Sequence, residues 1–146
     1  MAAVLSMYGN APHQAFNGDI NWDGASNLKM ALLTAYSKTA VEDQITFTAV
    51  VADGTQHAAA NGYATGGVVM GTVTHAYSAG VSTFGSASVV WTATGALTAK
   101  YAICYDVASD NAIFWIDLNS GADVTATDAA FTITDASGWF SIDVSP

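Results

Sequence analysis

From Ala96 to Tyr105 the residues Leu97, Ala99, Tyr101, Ile103 and Tyr105 occupy every second position. That is the side-chain period of a β-strand, whose successive residues point to opposite faces. Similar short runs recur along the chain. They are cut by Ala93-Thr94-Gly95, Ser109-Asp110-Asn111, Asn119-Ser120-Gly121 and Ala136-Ser137-Gly138, residue types that favour turns. No segment sustains a long helical period. Short strands at regular spacing, closed by tight turns, point to an antiparallel sandwich or barrel.

The strand runs predicted on this basis begin at Lys29–Tyr36, a short apolar stretch followed by Ser37-Lys38-Thr39. They continue at Val68–Ala76, Val81–Phe84, Ser88–Trp91, Ala96–Tyr105, Asn111–Leu118, Ala130–Thr134 and Trp139–Val144. Residues 41–60 read as a long connection holding a short helical turn, which Glu42, Asp43 and Gln44 could start. The glycines of Asn61–Gly67 mark a hinge that needs positive φ or close backbone approach. Residues 1–27 form an N-terminal arm in which Gly9, Pro12, Gly18 and Gly24 interrupt every period. Its apolar side chains are too many for a solvated arm, so it packs on its own domain or on a neighbour. The expectation is one all-β domain over 28–146, an antiparallel, jelly-roll-like β-sandwich, preceded by an irregular arm over 1–27. A chain of 146 residues is long enough to bury a core without disulfides or metals.

Charge narrows the function. There are 3 lysines and arginines against 12 acids, for a net charge of −9, and only 10% of residues are charged. Clustered cations are what phosphates require, so nucleic acid and anionic membrane are not expected partners. A neutral, polar surface can be buried against protein with few charges to desolvate. The single cysteine, Cys104, lies in the apolar run Tyr101–Tyr105 and reads as a small buried hydrophobe. Met1-Ala2-Ala3-Val4-Leu5 has no basic stretch before an apolar one. The expectation is a protein made in a cytoplasm that stays soluble unless it leaves in an assembly.

No constellation demands chemistry. His13, His57 and His75 lack the close spacing of a metal-binding helix. Asp117, Asn119, Ser120 and Asp123 make an oxygen-rich turn, but an ordinary Asx-stabilised turn explains them. Asp106 and Asp110, or Asp106 with His75, are the pairs a hydrolase reading would have to use. The chain holds no nucleophile elbow and no phosphate loop. The reading is non-enzymatic, with no cofactor and no metal. Trp91, Trp115 and Trp139 stand in or beside strands and are assigned to core or subunit interface.

Five blocks in order resemble a family of small virion proteins of tailed bacteriophages. They are Leu28–Leu33, the Gly62–Gly67 hinge, Trp91 with Leu97–Asp106, Ile113–Leu118, and Phe131–Trp139. The resemblance implies a structural component of the virion, a capsid decoration or cement protein on the outer surface of the head. Its expected partners are the major capsid protein and copies of itself, as a homotrimer. The arm differs most from the family, so Leu5, Tyr8, Phe16 and Trp22 are the candidate capsid or subunit contacts, and loss of residues 1–16 is expected to weaken capsid binding. The alternative is a tail- or fibre-associated module that binds a host surface glycan through aromatic platforms.

Overall fold

A computed structural model describes residues 4–22, 27–36, 46–134 and 139–143. Glu42-Asp43-Gln44, the expected helix start, Ala136-Ser137-Gly138, the expected turn, and Met1-Ala2-Ala3 lie outside the described residues. The chain is all-β with two short helices. In order the elements are β1 (Val4–Met7), α1 (Ala11–Asn17), β2 (Leu28–Ala35), α2 (Phe47–Asp53), β3 (Thr55–Gln56), β4 (Val68–Val69), β5 (Thr74–Ser78) and β6 (Val81–Gly85). There follow β7 (Val89–Thr92), β8 (Ala96–Ala99), β9 (Tyr101–Asp106), β10 (Ala112–Asp117), β11 (Val124–Thr127), β12 (Ala130–Ile133) and β13 (Phe140–Asp143).

The last eight strands pair as nested antiparallel partners: β6 with β13, β7 with β12, β8 with β11, and β9 with β10. That nesting is the pairing pattern of a jelly roll, one long hairpin folded over on itself. The registers show how continuous the hairpin is. Phe84 faces Phe140, Trp91 faces Phe131 and Leu97 faces Ala126, so the two limbs slip by at most two residues over that length. At the hairpin's tip the limbs lose step, because the connection from β10 to β11 contains Leu118–Asp123 while only Lys100 separates β8 from β9. The chain turns a corner there, and β9 and β10 join a different sheet.

That sheet runs β1-β10-β9-β2-β3, with β4 also on β2. Every residue of β9 and β10 is buried. The alternation in Ala96–Tyr105 therefore does not separate core from solvent: it breaks at Lys100, and beyond that point both faces are covered. On one face Phe47 of α2 stacks on Tyr105 at 3.8 Å, and Tyr36 meets Tyr101 and Trp115. On the other, Cys104 Sγ approaches Met70 Sδ at 3.3 Å and Phe114 stacks on Trp139. β7, β8 and β12 keep the alternation, with Val89, Trp91, Leu97, Phe131 and Ile133 inward. Trp91, Trp115 and Trp139 are all core residues.

The run Val68–Ala76 covers β4 and the start of β5, separated by Met70-Gly71-Thr72-Val73. β11 follows no marked apolar run and is held by its ladder to β8, where Thr98 and Thr125 share a hydrogen bond of 2.8 Å. The short helix expected in 41–60 is α2, capped by the Thr46 hydroxyl, which accepts from Ala49 N–H. The hinge at 62–67 serves close approach: a Cβ on Gly67 would collide with the Met30 carbonyl, and one on Gly62 with that of Thr92.

The described part of the arm packs on its own domain. β1 pairs with β10, while Tyr8, Ala11 and Ile20 belong to the single core. Nor is it irregular throughout. Pro12 stands in the first turn of α1, where its missing N–H costs nothing. Gly18, at φ 78°, closes the helix in a left-handed cap. Residue 28 is where β2 begins, not where packing begins.

Candidate functional site

α1 and the segment after it are fixed to the jelly roll by buried polar contacts. Gln14 Nε2 donates to Asn111 Oδ1 at 2.7 Å. The Asp106 carboxylate accepts from the backbone N–H of Asn21, at 2.6 Å, and from those of Ala108 and Ser109. Asp106 is 1% exposed, so it acts as a clasp between the N-terminal segment and the turn after β9.

The opposite wall is the β5–β6 hairpin. Its two-residue turn holds Ala79 at φ 50° and Gly80 at φ 84°, the paired left-handed conformations that match the strand twist. Between these walls lies an open groove of about 850 Å³. Trp22 packs edge-on against Phe84 at 5.0 Å and against His75 at 6.2 Å. His75 Nε2 lies 3.3 Å from the Trp22 carbonyl, which ties the segment to the hairpin. Phe16 on one rim is 86% exposed and Tyr77 on the other 71%. Met7, Ile20 and Ala15 complete the apolar floor, and among the described residues no lining residue is an acid, lysine or arginine. The groove can hold apolar or aromatic groups, but its lining has no carboxylate pair for acid–base chemistry.

Of the four residues expected to make contacts, the structure brings two together here, Phe16 and Trp22. Leu5 lies on β1, partly buried against the core. Tyr8 is a correction: it is fully buried, its hydroxyl 3.0 Å from that of Tyr36, so it supports the fold and presents nothing to a partner. Burial raises the Tyr8 phenol far above its ordinary range. Tyr77, His75 and Phe84 were not among the expected contacts. His75 fell in the run Val68–Ala76 and Phe84 in Val81–Phe84, both read only as strands, and Tyr77 fell between them.

The remaining candidates stay apart. His13 is near Asn17, and His57 Nδ1 meets the Ala58 carbonyl at 2.7 Å. Among the described residues no three His, Cys, Asp or Glu side chains converge as metal ligands would. Asp117 is buried and accepts from Gly121 N–H at 2.7 Å, and Asp123 faces Lys100. Asp106 is occupied by backbone N–H groups and lies outside the groove lining that contains His75. Cys104 is fully buried, and that burial pushes its thiol well above the ordinary value.

Comparison with family models, curated proteins and solved structures finds no match to this chain.

Proposed function

We propose that the chain is a capsid decoration protein of a tailed bacteriophage, holding the outer surface of an assembled head through the groove between α1 and the β5–β6 hairpin. The carrying observation is that, among the described residues, this open aromatic groove is lined by no acid, lysine or arginine in a chain of net charge −9. An uncharged apolar surface can be desolvated against a partner without stranding a charge. The virion assignment itself draws on the sequence resemblance. The physical logic is linkage: a protein that binds the assembled lattice better than free subunits stabilises the lattice. A trimer on a lattice axis would multiply weak contacts by avidity.

Removing residues 1–16 is a poor test, because it takes away an edge strand and the buried Tyr8 and Ala11. Phe16→Asp is the informative variant, since that side chain is 86% exposed and the fold does not need it. Its occupancy on purified heads should fall by about tenfold or more, the loss of a modest interface anchor. Wild-type occupancy would overturn the groove as contact surface. The exposure of Phe16 and Tyr77 also favours a second reading, a tail module stacking on host glycan rings. It predicts Phe16-dependent binding to surface polysaccharide and none to heads.

A further inference from the structure

The β5–β6 turn fixes which backbone groups of β5 point away from the molecule. Ser78 and Val81 flank a two-residue turn and are paired, so they exchange hydrogen bonds, as do alternate pairs beyond them. Ala76 and Thr74 therefore face β6, while the N–H and C=O groups of His75 and Tyr77 face outward. The other side of the hairpin agrees, since Phe84, opposite His75, gives its carbonyl to Trp139 N–H in the direction of β13. β5 ends its sheet, and all five of its residues are exposed.

Edge strands are ordinarily protected by lysine, proline, a bulge or shortness. In the six-stranded sheet the free edges follow this: β3 and β4 are two residues each, and β1 is partly buried. β5 reads Thr-His-Ala-Tyr-Ser, regular and uncharged. It borders the aromatic groove, to which His75, Ala76 and Tyr77 contribute.

We infer that β5 is a docking edge for an extended segment of a partner protein, which adds as a further strand and places alternate apolar side chains in the groove. Charge selects the composition of that segment. Its contacting stretch is uncharged, to match the lining, and its flanks are basic, because the molecule carries net charge −9. Backbone bonds at His75 and Tyr77 supply affinity, and the groove supplies selectivity. This rests on the reading of the groove as the contact surface.

The test is selection from a random linear peptide library on the immobilised full chain, followed by amide exchange and affinity measurements. Selected peptides should carry apolar residues at every second position, with lysine or arginine at their ends, and should slow exchange at His75 and Tyr77. Tyr77→Pro removes an outward N–H, whereas Tyr77→Ala removes only the ring. The proline variant should bind selected peptides about tenfold more weakly than the alanine variant. Equal affinity of the two variants, unprotected His75 and Tyr77 amides, or no selected pattern would each overturn the inference. So would a wild-type dimer that Tyr77→Pro converts to monomer, which would make a second copy the occupant. Head binding that survives Tyr77→Pro but not Phe16→Asp would remove the added strand and leave the decoration reading intact.

Discussion

Gly67 and Gly18 both hold positive φ, +75° and +78°, but their surroundings differ. A Cβ on Gly67 would strike the Met30 backbone, which cannot swing aside, while nothing lies within 4 Å of one on Gly18. Gly67→Ala should therefore lower unfolding free energy by about 3 kcal/mol, combining strain and collision. Gly18→Ala should cost only about 1 kcal/mol, the left-handed penalty alone. Denaturant melts of the two variants check the contrast, and equal losses would refute it. Asp106 offers a second residue-scale comparison. Its carboxylate satisfies three backbone N–H groups across two segments. Asp106→Ala should cost about 2–3 kcal/mol by leaving donors unsatisfied. Because Asp106 ties down the segment holding Trp22, peptide or head binding should weaken as well. Cys104, fully buried with a raised thiol, should resist thiol reagents in the native protein and react at the rate of unfolding.

The elements show what the sequence disclosed and what it hid. Strands bounded by glycine or asparagine turns were legible, because period-two alternation and turn chemistry are both local. β9 was legible as a strand but not as a doubly covered one, since burial of Ala102 and Cys104 depends on Met70 and β2, which are distant in sequence. α1 was missed because its seven residues span under two turns and carry Pro12 in the first turn. A proline in the first turn followed by a C-terminal glycine was the available signal. β11 was missed because Val-Thr-Ala-Thr has little apolar content, and its strand state comes from pairing with β8. The groove could not be read at all, since it joins residues 16–22 to 75–84 across the fold. Phe16 and Trp22 stood out as apolar residues in a polar segment, but not as neighbours of the β5–β6 hairpin. The nested pairing makes a prediction of its own. Trp91 is 1% exposed and meets Phe131 edge-on across the ribbon. Trp91→Ala should cost about 3–5 kcal/mol in calorimetry or chemical unfolding. The loss should be shared by β12, so exchange should quicken at Phe131 and Ile133 before it does in β9.

For the molecule as a whole, four buried phenols set an alkaline limit. Burial raises Tyr8, Tyr36 and Tyr63 above the ordinary value of 10.0, and Tyr105 to about 12. The unfolded chain releases phenolic protons from about pH 10, while the native protein retains them. Stability is therefore fully present below pH 10 and is lost as pH rises from 10 through 12, because the unfolded state binds fewer protons there. Unfolding midpoints measured from pH 8 to 12 should be flat and then fall steeply, and a flat profile throughout would contradict the buried positions of these rings. The central proposal is that the jelly-roll domain docks on a phage head through the aromatic groove between α1 and the β5–β6 hairpin. A cryo-electron map of the intact particle tests it most directly. The account predicts this chain on the outer surface of the head, with Phe16, Trp22 and Tyr77 turned to the major capsid protein. Density for the chain on the tail, or on the head with that groove facing solvent, would contradict it.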